Sequence, residues 1–455
     1  MSLWTSSEAI AATGGTTGEW VANGVSIDTR TLQKGDLFVA LTDIRDGHDF
    51  VAQALENGAA AAMASRVPDG VDRARLLLVT DVLEGLEALG KAARKRAARV
   101  IAVTGSVGKT GTKEMLRTAL NGQGRVHAAE KSYNNHWGVP LTLARMPTGT
   151  DFAIIEIGMN HPGEIGPLAK MVEPDVAVIT NVAAVHMEAF QSVAEIAVEK
   201  AAIFEGLRAG GHAILNTDLD SFDILRDAAN AAGAEITTFG SDADFRLIDV
   251  KIGDGVTNVS AEPISFTLGA EGRHFAMNAL AVLAAVKAAG GNVGKSTEAL
   301  QNWHAPVGRG ERWLVGNITL IDDSYNANPM SVGAALDVLA NSKERRVAIL
   351  GDMLELGDME IARHKELAAL DCMKDIEQVH CIGPLMKALY DVLPADKRGE
   401  WFASSTELAQ NLETLLKDHD TVMVKGSLGA KMAVVVDAIK NMGDARRLSD
   451  NGGVA

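Results

Sequence analysis

Short apolar, β-branched runs recur along the chain, each broken by glycine or a polar cluster and followed by a stretch of helical or loop character. Between Arg99 and about Pro306 the runs Val100–Val103, Phe152–Ile157, Val176–Thr180 and His212–Asn216 have the length of buried strands. From 307 onward the alternation resumes, with strands at Thr319–Asp322, Arg346–Leu350, Val379–Ile382 and Thr421–Val424 and helices at Val332–Leu339, Ile361–Ala369, Leu385–Leu393 and Lys431–Ile439. Such alternation predicts parallel sheets covered by helices on both faces, the second of them doubly wound. Ahead of Arg99 the pattern is strand, polar turn and strand over Val25–Leu41. A loop at Asp46–Phe50 then leads into an alanine-rich helix, Val51–Asn57, and a strand at Leu76–Thr80 follows. Short alternating strands at Phe245–Val250 and Ile264–Leu268 predict a β appendage, and Ala279–Ala289 reads as an apolar helix that Asn278 opens.

The stretch Val100–Thr112, V-I-A-V-T-G-S-V-G-K-T-G-T, adds chemistry to this frame. A strand runs into Gly105 and Gly108, and Lys109 and Thr110 open a helix. In that arrangement Gly105, Ser106, Val107, Gly108, Lys109, Thr110 and Gly111 form a phosphate cradle: backbone N–H groups turn inward, the helix N-terminus adds positive potential, and the lysine reaches the outer phosphates. The Thr110 hydroxyl is placed for Mg²⁺. The common G-x-x-x-x-G-K-[ST] spacing would need glycine at Val103, so this is a shorter loop, T-G-x-x-G-K-T. The fold class expected is α/β in three domains. Residues 1–97 form a small N-terminal α/β domain, 98–306 a central P-loop parallel-sheet ATPase domain, and 307–455 a C-terminal Rossmann-like doubly wound domain.

Ligands of parallel sheets sit at the carboxyl ends of the strands. Glu156 ends one such strand, where a hard oxygen donor for Mg²⁺ belongs. His186 follows another, although a lone histidine is more often structural and Mg²⁺ seldom takes nitrogen. Lys200, between acidic neighbours on a helix, reads from spacing alone as a solvated lysine. Asn278 could read an adenine edge or simply cap its helix. Asn328 before Pro329 is a helix N-cap signal, which leaves Asp323, Ser324, Tyr325 and Asn326 without a structural purpose. In the N-terminal unit Asp28, Thr29 and Arg30 are the polar set, and a plain turn explains them equally well.

Length and composition narrow the field. A chain of 455 residues is too long for one core. With 47% hydrophobic and 22% charged residues it reads as an ordinary globular protein, with no run long enough for a membrane helix and no signal-peptide pattern at its start. A cytoplasmic protein is expected. A net charge of −16 argues against nucleic-acid binding, and the basic run Lys91, Arg94, Lys95, Arg96 reads as a solvated helix face. The two cysteines, Cys372 and Cys381, have no metal spacing and read as buried core thiols. The tail from Arg446 reads as disordered.

Taken in order, T-G-S-V-G-K-T, Y-N-N-H-W-G-V-P, I-E-I-G-M-N-H-P-G-E-I, T-N-V-A-A-V-H, G-R-H-F-A-M-N-A, D-D-S-Y-N-A-N-P and G-D-M-L-E-L-G resemble the Mur ligases, ATP-dependent amide-forming enzymes of peptidoglycan synthesis. D-D-S-Y-N-A-N-P, G-D-M-x-E-L-G and V-K-G-S are most similar to the branch that adds D-alanyl-D-alanine to UDP-N-acetylmuramoyl-tripeptide. The resemblance implies a ligase working through an acyl phosphate, with ATP and two Mg²⁺ ions as cofactors. A monomer is expected, and charge and hydropathy speak against nucleic-acid and membrane partners. It makes Lys109, Glu156, His186 and Lys200 the catalytic set, and Thr110, Glu156, His186 and a carbamylated Lys200 the metal ligands. Asn278 would contact adenine, and Arg309 and Asp323 the γ-phosphate and ribose. Thr29 and Arg30 would meet the uridine diphosphate end, Asn134 and Asn135 the substrate, and Tyr325, Asn326 and Asn328 the incoming dipeptide. A sibling Mur ligase adding one amino acid, or a folylpolyglutamate synthase-like ligase, would share the ATPase core but not D-D-S-Y-N-A-N-P. A guanine-reading N-K-x-D is missing from the sequence, against a GTPase switch.

Overall fold

In the computed structural model, which describes residues 2–253 and 255–448, the apolar runs build one two-stranded ribbon and three larger sheets. The first large sheet is parallel, β1 (Gly24–Ser26), β2 (Asp36–Val39), β3 (Ala61–Ala64) and β4 (Leu76–Leu78) lying side by side in that order. The sequence reading missed β3 because its residues, A-A-M-A, favour helix intrinsically. Burial between two layers overrides that preference. Asp46–Phe50 is a 3₁₀ turn over Gly47–Phe50 rather than an open loop.

The core of this unit does not end with its own residues. Trp4, Leu86, Leu89 and Ala93 pack with Leu141 and Ala144 of the helix Gly138–Ala144, and the Trp4 indole N–H donates to Ala144 O at 2.8 Å. The basic run corrects the solvated-face expectation. Arg94 is buried at 4% exposure and donates to Glu173 O (2.7 Å), Ala97 O (3.3 Å) and Asp175 Oδ2 (3.1 Å), while Arg96 lies over the Trp4 ring at 3.9 Å. Periodicity cannot distinguish a lysine facing water from an arginine whose face meets another domain. Asp175 Oδ2 also takes the Val100 N–H at 2.8 Å, within the strand that leads to the glycine loop. Arg94→Met is therefore expected to cost about 2–3 kcal/mol in urea unfolding, because it takes the guanidinium donor from the Ala97 and Glu173 carbonyls and removes the buried cation from beside Asp175.

The second sheet has nine strands: β5 (Ala97–Thr104), β6 (Val126–Ala128), β7 (Thr150–Glu156), β8 (Val176–Ile179), β9 (His212–Asn216), β10 (Glu235–Gly240), β11 (Phe245–Gly253), β12 (Val256–Glu262) and β13 (Phe266–Leu268). Their spatial order is β13-β12-β11-β10-β9-β8-β5-β7-β6. β5 sits between β8 and β7, so the chain winds away from it in both directions and the glycine loop stands at the switch point. The expected β appendage is instead a continuation of this sheet. β11 pairs parallel with β10, β12 and β13 follow antiparallel, and Phe245, Val259 and Phe266 join the same core as Ile101 and Met115. Asn278 does not open its helix, which runs Arg273–Ala288.

The third sheet orders its seven strands β18-β17-β16-β19-β15-β14-β20, where β14 is Glu311–Val315, β15 Ile318–Asp323, β16 Arg345–Gly351, β17 Gln378–Ile382, β18 Arg398–Phe402, β19 Asp420–Lys425 and β20 Ala445–Arg447. Apolar clusters cover both of its faces, as a doubly wound sheet requires. Arg446 and Arg447 pair with β14, which corrects the expected disorder there, and 449–455 lie outside the described residues. Cys381 is buried and Cys372 only half-buried, and burial pushes both thiols up to about 12, so neither offers a ready thiolate. No helix among the described residues is long and apolar enough to cross a membrane.

Candidate active site

Two demands meet in the loop after β5: it must turn sharply and expose N–H groups to one point. Gly105 takes φ 153°, and a Cβ there would collide with the Thr180 hydroxyl. Gly108 takes φ 85°, and a Cβ there would stand 2.9 Å from Asn278 Oδ1. The loop is fastened to the segment after β8. Thr180 Oγ1 donates to Val107 O at 2.6 Å, the Ser106 N–H to Asn181 O at 2.9 Å, and the Ala183 N–H to Ser106 Oγ at 2.9 Å. Asn278 thus faces the glycine loop from inside its helix. Lys109 Nζ reaches back to Gly105 O at 2.7 Å. Burial pushes its pKa down, the Glu156 carboxylate opposes that shift, and the Arg309 guanidinium adds to it.

β7 ends at Glu156, which is 2% exposed. Its carboxylate accepts from Thr110 Oγ1 at 3.1 and 3.2 Å, Ser132 Oγ at 2.7 Å and Asn134 Nδ2 at 2.7 Å. Hydroxyl and carboxylate oxygens converging at the helix N-terminus are a donor set suited to Mg²⁺ completed by phosphate oxygens and water. Among the described residues no cluster of three or more His, Cys, Asp or Glu could hold a metal by itself. Ser132 and Lys113 escaped the sequence reading. Lys113 is fully buried, its ammonium donating to Ala129 O at 2.7 Å and Lys131 O at 3.1 Å, so it fixes the loop that presents Ser132 and Asn134. Its signal was available: a lysine on the buried side of an amphipathic helix must find acceptors. Asn135 accepts the Gly138 N–H at 2.9 Å and also lines the cleft.

Lys200 corrects the solvated-lysine expectation. It is 2% exposed, and its pKa is driven well down by burial first and by the Lys109 ammonium second, against the opposing charge of Glu199. Glu199 turns its carboxylate to the N–H groups of Gly163 (2.7 Å) and Ile165 (2.9 Å) instead. His186 pairs through Nδ1 with Glu355 Oε2 of the third sheet's domain at 2.8 Å.

That domain supplies the facing wall. Asp323, the last residue of β15, pairs with Lys425, the last of β19, at 2.7 Å. Burial pushes the Asp323 carboxyl up, and the ammonium holds it down. Arg309 lies over the Tyr325 ring at 4.0 Å. Asn326 Oδ1 takes the Ala327 N–H at 2.9 Å, and Asn328 Oδ1 caps the following helix through the Ser331 N–H at 2.9 Å. A cleft of about 680 Å³ joins the glycine loop, Glu156, His186 and Asn278 to Arg309, Asp323, Tyr325, Asn326 and Asn328, a size that suits a nucleotide and a second substrate. Thr29 and Arg30 stand apart from it, at the carboxyl edge of the first sheet. Arg30 is 86% exposed and forks onto Asp28 at 2.7 Å, while Asp46 holds His48 Nδ1 at 2.6 Å nearby in the chain.

The Mur ligase middle domain family matches residues 103–286, and the Mur ligase glutamate ligase domain family matches 308–428. The UDP-N-acetylmuramoyl-tripeptide–D-alanyl-D-alanine ligase of Escherichia coli is 36% identical over 432 residues, covering 92% of this chain and 94% of its own. The enzyme of the same name from Rickettsia prowazekii is 34% identical over 424 residues, covering 91% and 94%. Among solved structures, MurF from Acinetobacter baumannii superposes with a TM-score of 0.85 at 29% identity, over 96% of this chain and 99% of that one. The MurF ligase of Thermotoga maritima, solved in complex with ADP, gives a TM-score of 0.78 at 26% identity, over 92% and 97%.

Proposed function

We propose, from the premise that this chain belongs to the Mur ligase family, that it joins D-alanyl-D-alanine to UDP-N-acetylmuramoyl-tripeptide at the expense of ATP, in peptidoglycan precursor synthesis. The observation that carries the reading is the single cleft in which Lys109, Thr110 and Glu156 of one domain face Arg309, Asp323 and Lys425 of another. The tripeptide carboxylate attacks the γ-phosphorus of ATP, giving an acyl phosphate and ADP. The dipeptide amine then attacks the acyl carbon and expels phosphate, leaving the amide. Carboxylate and triphosphate repel each other, so the first step needs dense positive charge.

Each residue has a part in that chemistry. The loop amides from Gly105 to Gly111 and the Lys109 ammonium hold the phosphates. Asn278 takes the adenine side, and Asp323 and Arg309 close on ribose and γ-phosphate, so the site is complete only with the domains together, which also keeps water from the acyl phosphate. Mg²⁺, when bound, screens the charge of the phosphoryl group in transfer. Thr110 and Glu156 would hold one ion, and His186 with Lys200 a second. For Lys200 to serve, its neutral amine adds to CO₂ and loses a proton, and the resulting carbamate presents oxygen where an ammonium stood. Burial of Lys200 favours that neutral amine. Thr29, Arg30 and the Asp46–His48 turn hold the uridine diphosphate, Asn134 and Asn135 guide the peptide toward Glu156, and Tyr325, Asn326 and Asn328 receive the dipeptide. One chain supplies every part, so a monomer suffices. ATP and a nucleotide-linked precursor place the reaction in the cytoplasm.

A phosphate-release assay tests the reading. Release is expected with ATP, UDP-N-acetylmuramoyl-tripeptide and D-alanyl-D-alanine together, and not when the dipeptide is omitted. Release with UDP-N-acetylmuramoyl-dipeptide plus a diamino acid, and none with the first pair, would make the chain a sibling ligase.

A further inference from the structure

The Gly351–Gly357 loop after β16 is fixed along its length by its own domain. Asp352 Oδ1 takes the Met386 N–H at 2.7 Å, the Met353 N–H donates to Nε2 of the fully buried His364 at 2.9 Å, and the Leu354 N–H donates to Ser427 Oγ at 2.9 Å. The loop then sends one residue outward. Glu355 takes a left-handed φ of 64°, unusual for a residue with a side chain, and its side chain is 60% exposed apart from one contact, the 2.8 Å pair with His186 Nδ1. His186 is itself left-handed at φ 53°. Gly357 (φ 57°) lies against the same segment, where a Cβ would stand 3.4 Å from Met187 O and 3.5 Å from Glu188 N. Backbone in sparsely populated regions on both sides of one contact marks a junction that the surrounding fold enforces.

The chemistry of the pair has one direction. A carboxylate accepts, so Nδ1 of His186 carries the proton, and Nε2 is left with the lone pair that a cation can use. We propose that Glu355 is a positioning residue: the carboxylate of the third domain fixes the ring of His186 in the second, so that the cation site gains an oriented histidine only when the two domains meet. The proposal rests on His186 as a cation ligand, as assigned above. It supplies a reason for the two domains to be coupled through metal binding as well as through nucleotide contacts.

Mn²⁺ with a non-hydrolysable ATP analogue, bound to the full chain, serves as the probe. Mn²⁺ affinity is read by spin resonance, and the nitrogen ligand by the ¹⁴N modulation of the same signal. Glu355→Gly keeps the left-handed backbone and removes the carboxylate, and Glu355→Gln keeps an acceptor. The Gly variant is expected to bind Mn²⁺ about tenfold to hundredfold more weakly and to lose the ¹⁴N modulation, with the Gln variant recovering most of both. Thermal unfolding should not move, since the side chain is mostly in water. Wild-type affinity and modulation in Glu355→Gly overturn the proposal. A wild-type complex without ¹⁴N modulation, or a His186→Ala variant that binds Mn²⁺ as wild type does, instead removes His186 as a ligand, a separate failure of the functional reading.

Discussion

Lys109→Ala is expected to lower kcat/KM about a thousandfold or more while leaving far-ultraviolet circular dichroism and the unfolding midpoint unchanged. The size follows from where the charge develops. A cation aimed at a phosphoryl group in transfer stabilises the transition state more than the bound nucleotide, and removing one such donor typically costs two to three powers of ten, more where the group bridges both reactants. The fold should not suffer, because among the described residues Lys109 Nζ bonds Gly105 O alone, in the same turn. Acyl phosphate trapped by rapid quench should disappear together with phosphate release. If the variant turns over at the wild-type rate, the short glycine loop is not the phosphate site.

How much of this the sequence shows differs from residue to residue. The loop at Gly105–Thr110 was legible because strand, glycines and Lys-Thr are adjacent in the chain, and Glu156 because a carboxylate closes a strand beside it. Ser132 is not, since its meaning depends on a contact to Glu156 across a loop of unknown course, and for Lys113 the helix pattern shows that acceptors are needed but not that they are the carbonyls of Ala129 and Lys131. Arg94 went wrong for the converse reason: its helix is amphipathic about one domain, and Glu173 and Asp175, which it meets, belong to another. The strand at Ala61–Ala64 failed on composition, small residues being chosen there for the spacing of two layers rather than for backbone preference. Pairings between domains, His186 with Glu355 above all, leave no periodicity to read.

Lys200 brings the same limit to the chemistry. Spacing alone reads as a solvated lysine, the resemblance implies a carbamate, and burial favours the second, because an ammonium enclosed near another ammonium is driven toward the neutral amine that CO₂ requires. Lys200→Ala is expected to lose about a hundredfold to a thousandfold in kcat, the cost of removing the proposed carbamate. Short carboxylic acids such as formate or acetate should restore part of that loss, since the vacated stem leaves room for an added carboxylate. Lys200→Met should be equally inactive and should not respond, its side chain filling the space. That contrast separates the loss of a carboxylate from the loss of packing, which would affect the alanine variant alone and would not answer to added acid. Full activity in Lys200→Ala would remove the carbamate, and with it the second ion, from the mechanism.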